Sequence, residues 1–323
     1  LFFLFFLIKT YISVLSANLD LIDGVFALFM DERVLYDGVY KILHPKTLGG
    51  FLYAVLDANA HLYGRIFWNL NAIVGFLPEY FFGPKGLILS ERASSVLFIS
   101  LSYFFFSITF LKSWFFRLVS FFLLVNAPFS SYFMTMPKPE PIQLFFLSLF
   151  LFFSKKNHFA LEKKQWFFLG LSIGTKVSIA PLSLPVVAFS TYNSFSTIGL
   201  KKTIEDFPKM VVYVLFGLSV AVPILLKQFL VSYLVYWVGT RVFKVQRRVK
   251  IMNDLFLVFA FLFGNFFYSF ACKKFFDIKT GLYRWFVQTF LNTGHGFDIA
   301  DVGFLSWANY FSTEFLSPNV FIN

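Results

Sequence analysis

One cysteine stands in the whole chain, Cys272, so no disulfide can form within it. Histidine is almost as scarce, with four residues, and neither His61 nor His295 has metal-ligand spacing around it. Charge is thin as well. Charged residues make up 14% of the sequence, against roughly a quarter in soluble domains. That shortage argues against a soluble globular domain, and the 58% of hydrophobic residues calls for a polytopic membrane protein. Acidic residues are outnumbered, giving a net charge of +11, yet the bases sit in short clusters between apolar runs. No basic domain is there to hold a duplex, so no nucleic-acid partner is expected and the clusters read as the positive-inside bias of membrane loops. A cleavable signal is missing too, for want of a basic n-region and a small-residue cleavage site. The first apolar run, "LFFLFFLIKTYISVLS", reads as a span that begins before the sequence does, and "LSPNVFIN" reads as clipped at the other end. With no internal repeat and no low-complexity linker, residues 1–323 read as a single membrane domain.

What the chain has in abundance is apolar length. A bilayer core of roughly 30 Å needs about 20 apolar residues per helix, fewer where a helix is broken inside the protein. The runs predict an all-α, polytopic transmembrane bundle with spans near 1–17, 93–111, 118–133, 141–153, 166–175, 177–190, 210–226, 228–239 and 254–271. The basic clusters at 112–117, 155–164, 201–209 and 241–250 then fall in alternate loops, on the side that must be cytoplasmic. The other side receives the long first loop 18–92, the short "MTMPKPEP", the break at Lys176 and the segment from about Lys273. Within 18–92, Leu35, Val39 and Ile42 recur at helical spacing, which predicts an amphipathic helix over 31–43 lying in the membrane interface. A second such piece runs through "HLYGRIFWNLNAIVGFL", and "PEYFFGPKG" reads as a turn-rich link to the next span.

The non-cytoplasmic side collects most of the unusual polar residues, among them Asp31, Glu32, Asp57, Arg92, Lys138, Glu140 and Lys176. Ionisable groups near membrane depth cost about 2.5–3.5 kcal/mol each on insertion scales, so they need partners or a task. Carboxylates beside lysine and arginine suit a phosphate-bearing lipid substrate: the carboxylate takes a proton and the cations stabilise a phosphate leaving group. Simpler local readings stand beside that one. Asp31 would cap the helix that follows it, and Glu32 would be a capping-turn charge. Arg92 would snorkel from a helix end, and Lys138 would pair with Glu140 at a helix start.

The ordered stretches "FMDERVLYDGVYKI", "YGRIFWNLNAIVGFL", "SERASSVLF", "MPKPEPIQLFFLSLFLFF" and "GLSIGTKVSIAPL" resemble GT-C superfamily glycosyltransferases. The branch they look most like holds the protein O-mannosyltransferases and the aminoarabinose-type transferases, over roughly residues 20–190. The resemblance implies a membrane glycosyltransferase that moves a sugar from a polyprenyl-phosphate donor to an acceptor on the non-cytoplasmic face, with inversion. It implies Asp31 as the catalytic aspartate, Glu32 as the second residue of that pair, and Lys176 beside the donor phosphate. Arg92 or Lys138 would assist Lys176, Glu140 matches the acid after the Pro-containing turn, and Asp57 is a second acid facing acceptor or metal. A divalent metal is optional in this chemistry, and membrane lipids surround the whole. A Lys-Pro-Pro usual in the first loop of the aminoarabinose branch is replaced here by "DANAHLYGRIF", which leaves the acceptor open among lipid, glycan and protein. Two rival classes remain: a non-catalytic scaffold subunit with the same fold, and a lipid or solute transporter, for which broken helices would also be expected.

Overall fold

The computed structural model describes residues 8–9, 30–56, 64–127, 130, 133–134, 137–176 and 179–222; at 30–34 and 180–182 it describes the backbone alone. The described residues are all-helical. In chain order the helices are α1 (Met30–Leu43), α2 (Leu48–Leu56), α3 (Ile66–Phe110), α4 (Trp114–Asn126), α5 (Glu140–Lys156), α6 (Trp166–Thr175), α7 (Ala180–Ile198) and α8 (Leu200–Ala221). The apolar runs expected at 93–111, 118–133, 141–153, 166–175, 177–190 and 210–226 each have a helical counterpart among these. Those at 1–17, 228–239 and 254–271, and the basic cluster at 241–250, lie outside the described residues, apart from Ile8 and Lys9. α3 is long and apolar enough to cross a membrane, while α4 and α6 are shorter apolar helices.

α3 is not one straight rod. At Gly83 the backbone turns to φ 61°, ψ −150°, a conformation open essentially to glycine, and Pro84 opens a second arm. The two arms, 66–82 and 84–110, fold back on each other. Ser94 donates its hydroxyl to Asn71 Oδ1 at 2.6 Å, whereas a straight helix would hold those residues about 35 Å apart. Gly75 lies against Leu87 and Ser90, and Gly86 against the Pro78 backbone, so the pairing runs up to the tip. This corrects the expected link: "PEYFFGPKG" is helical on both sides of a single glycine rather than a nine-residue connection. Pro78 is accommodated inside the first arm, and only Gly83 breaks it.

A second correction concerns the segment expected to lie on the membrane interface. Leu35, Val39 and Ile42 do form one stripe of α1, but that stripe is buried in protein, packed with Phe67, Trp68, Ala72 and Leu87 of α3. An amphipathic stripe needs an apolar medium, and here the α3 hairpin supplies it. Arg65, just before α3, is buried beside this core. Its Nε donates to the Ala54 carbonyl of α2, and its guanidinium lies 5.1 Å from the Trp68 ring centre.

α6 and α8 form the most intimate contact in the bundle. Gly170 and Gly174 on α6 face Gly217 and Ala221 on α8; a Cβ at Gly170 or Gly217 would fall inside contact distance of the carbonyl oxygen of Val214 or Phe167. Two small residues four apart on each helix let the backbones meet directly, the packing device of helices in lipid. α5 leans on both α3 and α6.

One end of the bundle gathers lysines. Lys155 at the end of α5 donates to the Thr109 carbonyl near the end of α3, and Arg117 Nε donates to the Leu111 carbonyl at 2.7 Å. Asn193 of α7 reaches the His158 carbonyl at 2.9 Å, and Gly199 (φ 82°) turns the chain into α8 beside Lys201 and Lys202. The clusters 112–117 and 155–164 and the Lys201–Lys202 start of 201–209 therefore share an end, as their charge pattern predicts, while Lys209, further along α8, is ion-paired with the buried Asp206.

Candidate active site

The opposite end is built around the termination of α6. Ten residues make a helix about 15 Å long, half of what a bilayer core requires, so its last carbonyls end inside the protein and need donors. They find them. Gln143 of α5 donates its amide to the carbonyls of Ser172, at 3.3 Å, and of Lys176, while Ser172 Oγ donates back to the Gln143 carbonyl at 3.0 Å. The Gly64 amide donates to the Thr175 carbonyl at 2.9 Å, tying the start of α3 to the same point. Lys176 then leaves the helix with an extended backbone.

Its ammonium is ion-paired with Glu140 in the first turn of α5. Both groups are partly buried, with side-chain exposures of 27% for Lys176 and 18% for Glu140. The pairing is doubly favoured by the helices, since Glu140 stands at the positive end of α5 and Lys176 at the negative end of α6. Glu140 Oε2 is buried and has no hydrogen-bond partner among the described residues. Local spacing suggested Lys138 as the partner of Glu140; the structure gives Glu140 to Lys176, thirty-six residues on. Lys138 is half-buried between the buried Pro137 and Pro139.

Arg92 does not stand at a helix end. It lies inside the second arm of α3 and is 4% exposed, so the snorkelling alternative does not describe it. Its neighbour Glu91, which sequence reasoning passed over, is 2% exposed. Asn71, Gln143 and Gly64 were also missed, and only Gln143 carried a signal: an amide two residues into an apolar run is costly unless paired.

Asp31 and Glu32 lie in the first turn of α1, after Met30, where the backbone alone is described. α1 is fixed further along. Gly38 lies against Trp68, and His44, just past the helix, meets Glu79 Oε1 at 2.7 Å near the hairpin tip. The first turn of α1 is thus its end away from the tip. Tyr36, Tyr40 and His44 stack along the same face, with ring centres 5.7 and 4.3 Å apart. Burial, then the Tyr40 phenol and the carboxylates of Glu91, Glu79 and Asp37, raise the Tyr36 phenol above its ordinary value, so it stays a neutral hydroxyl. Asp57 lies outside the described residues, as do His61 and His295. Among the described residues no three His, Cys, Asp or Glu side chains gather as a metal site.

Comparison with protein-family models, with curated proteins and with solved structures finds no match.

Proposed function

We propose that the chain is a multi-pass membrane glycosyltransferase with GT-C architecture, moving a sugar from a polyprenyl-phosphate carrier to an acceptor on the non-cytoplasmic face. The observation that carries this reading is the Glu140–Lys176 pair at the broken end of α6, at the end of the bundle opposite the lysine clusters. A fixed cation at a helix break suits an anionic headgroup whose tail stays in lipid. Glu140 holds the Lys176 ammonium in place, and that ammonium stabilises the phosphate as the bond from the anomeric carbon to the phosphate oxygen breaks. Asp31 accepts the proton of the acceptor hydroxyl, whose oxygen forms the new bond from the opposite face; the products are the glycosylated acceptor and the polyprenyl phosphate. Glu32, the next residue, takes the supporting role in this Asp-Glu motif.

The test is Asp31→Asn in the full chain, assayed for transfer from a polyprenyl-phosphate sugar. Turnover falls by roughly 10²–10⁴, as on losing a general base, with donor affinity unchanged. Transfer at the unaltered rate would reduce Asp31 to a helix-start charge.

A second reading has an observation in its favour. Because Glu140 already neutralises Lys176, the pair also suits a scaffold subunit that keeps the fold without the chemistry. Donor affinity separates the two: Lys176→Ala weakens it more than Lys176→Arg in the enzyme and leaves it equally low in the scaffold.

A further inference from the structure

The lysine-bearing end of the bundle holds a cleft that glycosyl transfer does not use. Its volume is about 410 Å³, and it is lined by residues from α5, the 157–165 turn, the start of α6 and α8. Phe153 and Phe168 form one wall, stacked with ring centres 5.5 Å apart and planes 10° from parallel, and Tyr213 of α8 lines it too. The lip is polar. Asn157 donates to Gln165 Oε1 at 3.0 Å and Gln165 donates to the Ala160 carbonyl at 2.7 Å, so the turn's shape is fixed from within. Lys163 and Lys164 stand on this lip, both exposed. Glu162 offsets Lys163 at 3.3 Å, and no ion pair engages Lys164 among the described residues. The lip runs directly into the first turn of α6, where the Phe167 and Phe168 amides donate to the Lys164 and Gln165 carbonyls and no side chain caps the helix, so its positive end faces the lip.

Aromatic walls beneath a cationic lip select for an amphiphile. A free anion gains nothing from Phe153 and Phe168, and a neutral lipid gains nothing from two lysines. We propose that this cleft binds an anionic phospholipid, its phosphate at Lys163 and Lys164 and the upper part of an acyl chain along Phe153, Phe168 and Tyr213. The size falls in the range of small-molecule sites, and basic pockets between membrane helices are known places for acidic headgroups. The site is independent of Asp31 and Lys176, and it stands whether or not the chain transfers sugar.

The experiment is native mass spectrometry of the purified full chain titrated with phosphatidylglycerol or phosphatidylcholine. Phosphatidylglycerol stays bound at concentrations where phosphatidylcholine has been shed. Lys163→Gln with Lys164→Gln weakens its retention roughly 30-fold, the product of two basic contacts at a membrane surface. Lys201→Gln with Lys202→Gln, at the same end but outside the cleft, changes it less than about twofold. Both side chains of the first pair are exposed, so the variants fold. Equal losses in the two double variants would mean diffuse surface charge and overturn the site. Equal retention of phosphatidylcholine would overturn it by showing apolar contact alone. Displacement of the lipid by millimolar inorganic phosphate would assign the lip to a free anion instead.

Discussion

Removing either partner of the Glu140–Lys176 pair should destabilise the protein measurably, and removing both should restore part of the loss. The magnitude follows from burial. An exposed pair contributes about 0–1 kcal/mol, while breaking a fully buried one costs about 3–5 kcal/mol because it strands a charge. With side chains 27% and 18% exposed, the pair lies between these limits. Glu140→Gln and Lys176→Met are each expected to cost about 2 kcal/mol, of which a few tenths is the lost interaction with the end of α5 or α6. The double variant strands no charge, so its cost should fall short of the sum by about 1–2 kcal/mol. Thermal unfolding in detergent, followed by tryptophan fluorescence, reads each single variant as a drop of roughly 5 °C. Additive losses, with coupling under about 0.5 kcal/mol, would refute the pairing. They would leave Lys176 facing another group.

Other outcomes follow from the packing and the topology. Gly170→Ala and Gly217→Ala each push a Cβ against a backbone carbonyl that cannot yield, so each should cost about 1–3 kcal/mol by the same melt. Gly83→Ala meets open space yet must adopt φ 61°, so it should cost about 1–3 kcal/mol from strain alone, with Pro84→Ala nearly silent. In sealed vesicles of a chain with Cys272 replaced, Lys41→Cys and Lys163→Cys should react with an impermeant thiol reagent from opposite sides. Labelling of both from one side would reject the multi-pass topology.

The helices were legible because apolar runs and charge clusters are local features. The basic end was legible for the same reason: residues 155–164 and 201–202 carry their side of the bundle in their own composition, and the contacts of Lys155 and His158 agree. The partner of an apolar stripe was not legible. Leu35, Val39 and Ile42 have the same period whether lipid or the α3 hairpin receives them, so burial in protein could not be told from burial in the interface. Nor did two Gly and two Pro residues reveal that "PEYFFGPKG" is a hairpin tip, because only long-range contacts such as that of Asn71 with Ser94 distinguish a fold-back from a link. The α6–α8 seam was not legible either, because the counterpart of Gly170 and Gly174 at Gly217 and Ala221 lies more than forty residues away. The site shows how these hidden pairings serve one end. A helix as short as α6 can stop inside an apolar bundle only if its last carbonyls are met, and Gln143 of α5 and the Gly64 amide just before α3 meet them, while the Glu140–Lys176 pair settles the charge at the same end. The same seam that holds Gly174 against Ala221 fixes the axis along which Lys176 emerges. The position of that ammonium is therefore set by backbone packing on one side and by a carboxylate on the other, which is the rigidity that a phosphate site or a structural clasp would equally require.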